Sequence, residues 1–158
     1  MSKITDALSD AQLARLRTAY SSAAMTNVLS SGIPDLHTPT TDFIGAIRRA
    51  FYDDGHDTMS PRDRERCLVA ILASRDVGLN FALHVYIGLM EGLSPGEIAD
   101  VVFLSGIYTG VDCISDGLNA EMRALGVLAQ AADDPTGCTV VQVVRALQAV
   151  FGPPPPGR

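Results

Sequence analysis

Apolar side chains recur at three- and four-residue spacing along almost the whole chain. No run of alternating apolar and polar residues survives a test of its length and flanks. The pattern predicts an all-α fold. Ser9 and Gln12 have capping-box spacing, followed by Leu13, Leu16 and Tyr20 at helical spacing. A short helix over Ala23 to Ser31 should stop at Gly32, before Ile33-Pro34. Residues Asp42 to Asp53 read as amphipathic helix, with Phe43, Ile44, Ile47, Ala50 and Phe51 on one side. Ser60-Pro61-Arg62-Asp63 is a strong helix opening, and that helix should run to about Arg75. Its middle, Cys67 to Ala73, is apolar on every side and is expected in the core.

Leu79 to Glu91 is the next apolar helix, closed by Gly92. Ser94-Pro95-Gly96-Glu97 repeats the opening signal, as a full capping box, for a helix from Pro95 to about Tyr108. Gly110 ends that helix, and Asp112 is placed to cap a long one to about Ala132. A last helix covers Thr139 to Phe151. These elements are expected to form one domain over residues 1–152, with a stiff proline-rich tail from Pro153.

Composition narrows the function classes. The chain has 158 residues, 47% apolar and 19% charged, which excludes a disordered chain or a collagen-like repeat. Net charge is −6 and the single lysine is Lys3, so a nucleic-acid partner is not expected. No run of 18 apolar residues exists, so no membrane span is expected either. The start, MSKITDALSD, lacks a signal peptide's apolar stretch. Cys67, Cys113 and Cys138 are odd in number and widely spaced, which reads as reduced thiols, packed as small hydrophobes, in a cytoplasmic protein. No His/Cys/Asp/Glu set has convincing ligand spacing, so no metal is expected.

Polar groups inside apolar helices mark the candidate chemistry, because an unpaired one costs roughly 1–3 kcal/mol. His84 sits among Phe81, Leu83, Val85 and Ile87. Asn80, His84 and Gly88 make an i, i+4, i+8 stripe, with Glu91 next along the helix. Gly88 leaves room for a neighbouring helix or a ligand. Glu65 lies early in the preceding helix, and a short turn near Gly78 makes the two helices antiparallel. Counted from that turn, Glu65 and His84 are offset by about one helical turn, close enough to bridge directly or through water. A carboxylate beside an imidazole suits general acid–base work. The plainer readings are a satisfied core or interface histidine and a helix-opening acid that complements the dipole. Tyr108, at a helix end, and Arg62, in the run Arg62, Arg64, Arg66, are further candidates for substrate contact. Their plainer readings are an amphipathic end residue and a solvated charge. His37 and His56 fall in loops and read as ordinary loop residues.

Three pieces in order carry a resemblance. They are Arg62-Asp-Arg-Glu65 leading into Leu68 to Ala73, then Leu83-His84 followed by Gly92-Leu-Ser-Pro-Gly-Glu97-Ile98, then Val101 to Leu104 leading to Ile107-Tyr108-Thr-Gly110. Together they resemble the carboxymuconolactone decarboxylase family, which includes the alkyl hydroperoxidase D-like proteins. The firm match covers about 60 residues, and a family-like core extends over about 42–130. In the thiol-active branch the pattern is Glu-x11-Cys-x2-Cys-x3-His. Here the same frame reads Glu65-x11-Val77-x2-Asn80-x3-His84, so the acid and the histidine are present and both thiols are absent.

The resemblance therefore implies the decarboxylase branch. That branch is an all-α bundle around an antiparallel helix hairpin, assembled as trimers or hexamers, and uses no metal or organic cofactor. It implies a lyase or isomerase acting on a small lactone or carbonyl acid. His84 would protonate or stabilise the enolate, Glu65 would hold or recharge the imidazole, and Asn80 would orient substrate. Two alternatives stay open: a thiol-dependent antioxidant using Cys67 or Cys113, and a non-catalytic oligomeric helical domain in which the His84 stripe is only an interface.

Overall fold

Side-chain caps start four of the helices, three of them where the sequence places them. A computed structural model of the chain describes residues 3–31, 59–75, 77–135 and 138–152, with 29–31 described by backbone alone. Helix α1, Asp10–Ala19, opens on Ser9, whose hydroxyl accepts from the Gln12 amide while the Gln12 side chain accepts from the Ser9 amide. Helix α2 is Ser22–Ser31. Helix α3, Pro61–Ala73, opens on Ser60 with Pro61 in its first turn. Helix α4 is Leu79–Met90. Helix α5, Pro95–Thr109, carries the expected Ser94–Glu97 capping box. Helix α6 is Val111–Ala132 and α7 is Val140–Phe151. A 3-10 turn at Ile4–Asp6 precedes them, and no strand occurs among the described residues.

Two boundaries differ from expectation. Helix α6 begins one residue before Asp112, which lies in its first turn. Gly110 holds the capping position at φ +131, a conformation side-chain-bearing residues rarely adopt. Thr139 lies outside α7 as its cap, exchanging bonds with Gln142. The predicted helix Asp42–Asp53, the loop histidines His37 and His56, and the tail from Pro153 lie outside the described residues.

Helix α4 is the centre of the molecule. Phe81, Ala82, Leu83, Val85, Tyr86, Gly88 and Leu89 are all buried, and α1, α3, α5, α6 and α7 pack on the helix. It ends in a two-bond closure: the Gly92 amide donates to the Leu89 carbonyl, and the Leu93 amide to the Gly88 carbonyl. Gly92 supplies the positive φ, +96, that this closure needs. Arg17 of α1 donates twice to the same Leu89 carbonyl, tying α1 to the end of α4. Helix α6 packs along α5, with Gly117 against Val102 and Gly106 against Ile114. No described helix is long and apolar enough to cross a membrane.

Two expectations about burial are corrected. In α3 only Glu65, Val69 and Ala73 are buried. Cys67 is exposed and Ile71 is 52% exposed, because α3 packs on α4, α5 and α6 along a single face. The cysteines are not all packed inside: Cys67 lies on the outward side of α3, and Cys113 and Cys138 are half-buried.

Candidate active site

Helices α3 and α4 run antiparallel. Arg62 reaches the Gly92 carbonyl, while Glu65, three residues on, lies against His84 and Gly88. This register sets the Glu65 carboxyl beside the His84 ring, Oε2 to Nδ1, at 2.8 Å. The acid side chain is 2% exposed and the imidazole 24%. Where the carboxylate accepts, Nδ1 carries the hydrogen and Nε2 keeps the lone pair for exchange with a substrate. The buried acid thus fixes ring orientation and tautomer, the part a carboxylate plays behind a catalytic histidine.

The Asn80–His84–Gly88 stripe runs from solvent to core. Asn80 is exposed in the first turn of α4, His84 is intermediate and Gly88 is buried. The space at Gly88 is occupied by the chain itself. A Cβ there would meet the Leu93 side chain at 3.0 Å and the Glu65 Cβ at 3.7 Å. Gly88 therefore lets Glu65 and Leu93 close over α4 and leaves no room for a ligand at that spot.

A third acid borders the pair. Burial pushes the Glu91 carboxyl up, the charge of Glu65 adds to the effect, and Arg64 opposes it. The arginine next to these acids is thus Arg64, which sequence reasoning grouped with its solvated neighbours. Arg62 is engaged elsewhere. Together with Arg66 it grips Glu97, at 2.5 and 2.7 Å, and it also donates to the Gly92 carbonyl. Backbone and side-chain bonds from Ser94, with both arginines, hold the Glu97 carboxyl down at about 2. Tyr108 is 84% exposed at the end of α5 and has no contact with Glu65 or His84 among those described.

The thiols lie apart from this pair. Cys67 follows Glu65 by two residues, so it projects from the opposite side of α3 and is exposed. Burial, with the charge of Asp134, pushes the Cys138 thiol up and disfavours its thiolate. No cluster of three or more metal-ligating side chains occurs among the described residues. Two open grooves, about 530 and 350 Å³, lie elsewhere. One is lined by Ala14, Arg15, Thr18, Asp134 and Cys138, the other by Val127, Gln130, Gln142 and Val150.

Sequence reasoning missed a second buried acid, Glu121 of α6. It is fully buried, and neither carboxyl oxygen has a hydrogen-bond partner. Its spacing was a usable signal, because Gly117, Glu121, Ala124, Leu125 and Leu128 share the buried face of α6. Compared with known proteins, the chain matches no family model, no curated protein and no solved structure.

Proposed function

We propose that the chain is a cofactor-independent carbon–carbon lyase or isomerase of the carboxymuconolactone decarboxylase type. It acts on a small lactone or carbonyl acid through the His84–Glu65 pair on an alkyl hydroperoxidase D-like hairpin. The observation that carries this reading is the 2.8 Å contact between a buried carboxyl and a partly open imidazole, supplied by two helices that cross in opposite directions. In decarboxylation the bond to the departing carboxylate breaks, CO2 leaves, and the electron pair stays on the substrate as an enolate. His84, protonated at Nε2, gives that proton to the carbanionic carbon. Glu65, fixed at Nδ1, keeps the ring oriented while solvent returns the proton to Nε2. In isomerisation the same nitrogen removes a proton beside the carbonyl and returns it at another carbon.

The test is turnover of a carboxymuconolactone-type substrate by wild type, His84→Ala and Glu65→Gln, with CO2 release and product both measured. Loss of the histidine should lower kcat by about 10²–10⁴-fold. Glu65→Gln keeps volume and replaces the carboxyl by an amide, and should lower kcat less. Equal rates in wild type and His84→Ala would overturn the role of His84. No turnover by wild type would overturn the substrate class.

A further inference from the structure

The stripe of α6 that meets α5 carries Ile114, Gly117 and Glu121, at three- and four-residue spacing. The first two pack directly on the partner helix. Ile114 fills the space beside Gly106, and Val102 fills the space beside Gly117. The third member is an acid. Glu121 is fully buried, and both its carboxyl oxygens lack a hydrogen-bond partner. We propose that Glu121 makes the α5–α6 seam a proton-operated latch: with its proton in place the seam stays closed, and loss of the proton parts the two helices locally, pivoting at the Gly110 corner, while the rest of the fold holds.

The surroundings offer the ionised acid no compensation. Helices α1, α3, α4, α5 and α7 all pack on α6. The charged group that acts on Glu121 is Asp100 of α5, and its sign is the same. The one cation of α6, Arg123, is exposed and turned to the Val150 carbonyl and the Phe151 ring. On the neighbouring helices, Arg15 is committed to Asp133, Arg17 to the Leu89 carbonyl, and Arg62 and Arg66 to Glu97. Burial, with the Asp100 charge, pushes the Glu121 carboxyl up to about 8. In the parted state the acid meets water and returns to its ordinary value, 4.5. Parting therefore releases a proton between those two values, and its equilibrium constant rises towards tenfold per pH unit.

Geometry keeps the opening local. Gly110 joins α5 to α6 with no loop between them, at φ +131, and no side chain caps α6 there. Phe103, Leu104 and Ile107 on the outward side of α5 are already more than half exposed, so separation of that helix costs little further burial. The first turn of α5 stays anchored, because Arg62 and Arg66 hold Glu97.

The experiment is amide hydrogen exchange of the full chain, read by mass spectrometry at pH 6 and pH 8 and constant salt, with each rate divided by its intrinsic chemical rate. Wild-type peptides from α5 and from α6 around Glu121 should lose protection by at least about tenfold between the two pH values. Peptides from α4 and α7 should not. Glu121→Gln keeps the shape and removes the titration, and should hold the protection constant. Glu121→Leu decides the matter if the glutamine variant does not fold. Wild-type protection that ignores pH overturns the proposal, as does the same loss in a folded variant. An equal loss in every helix also overturns it, because the acid then acts on the whole fold and not on the seam. The latch stands apart from the acid–base reading, and turnover does not enter the test.

Discussion

Glu65 and Glu121 have the same side chain and nearly the same burial, yet they occupy opposite chemical situations. Glu65 has an imidazole 2.8 Å away. Glu121, on the buried face of α6, has no hydrogen-bond partner at either oxygen. Burial pushes the Glu121 carboxyl up to about 8, and the charge of Asp100 on α5 adds to this. The difference teaches what burial alone does to an acid. Without a partner the core selects the neutral form, whereas Glu65 has the His84 ring as a hydrogen-bond partner.

The comparison breaks most sharply if Glu65 is turned into a second Glu121. His84→Ala does this, because it strands a buried acid. Besides the loss of turnover described above, the variant should lose about 1–3 kcal/mol of stability. Urea melts of wild type and His84→Ala at one pH check it. Equal midpoints would mean that water takes the place of the histidine.

Glu121 supplies the next effect. Its ordinary value of 4.5 is raised to about 8 in the fold, so between those values the folded chain binds a proton that the unfolded chain has released. Stability from this group is complete below about 4.5, falls as pH rises, and is fully lost above about 8. The slope is on the order of 1 kcal/mol per pH unit inside that window. Glu121→Leu should flatten this part of the stability–pH curve and raise stability at pH 8–9, leaving pH 4 stability little changed. A wild-type curve that rises between pH 5 and pH 8 at constant salt, with the same rise in Glu121→Leu, would show that the acid is solvated or paired in solution.

Glycine packing offers a smaller contrast between the two regions. Beside Glu65, a Cβ on Gly88 would press only on the tip of the Leu93 side chain, at 3.0 Å, which can rotate. Beside Glu121, a Cβ on Gly117 would meet Val102 Cγ1 at 2.5 Å, a stiff β-branched group. Gly88→Ala should therefore change stability by less than about 1 kcal/mol, because helix propensity offsets the crowding. Gly117→Ala should cost about 1–3 kcal/mol through overpacking. Thermal melts of both variants check the order, and a reversed order would show that the α5–α6 contact is looser than the distances indicate.

These elements also show what was legible in the chain. Helix starts were readable because capping is local: Ser9 with Gln12 and Ser94 with Glu97 declare themselves over four residues. Glu65 and His84 were readable because a hairpin's register follows from residue counts on either side of its turn. Three features were not readable for one shared reason, which is that they depend on what lies opposite a residue. The face of α3 carrying Cys67 and Ile71 is apolar in sequence and open in space. Gly88 is filled by Leu93, which the α4 closure folds back over it. Of the three arginines in alternate positions, helical geometry sends Arg62 and Arg66 to Glu97 and Arg64 towards Glu91, and the sequence gives no distance to decide between them.

That last division yields the smallest and most discriminating effect. Arg62 is part-exposed and already bound to Glu97 and the Gly92 carbonyl, so it has little freedom to hold a substrate. Surface pairs of this kind contribute little and are screened by salt. Arg62→Ala should shift Tm by no more than about 2 °C and leave kcat/KM within about twofold. Arg64→Ala removes the one charge that opposes the upward push on Glu91, whose acid form should then persist to higher pH. The expected result is an unchanged Tm with a displaced limb in the pH dependence of turnover. If Arg62→Ala instead raises KM strongly while Arg64→Ala leaves the pH profile untouched, the substrate approaches from the Glu97 end of α3, and Arg62 regains the role its place in the sequence suggested.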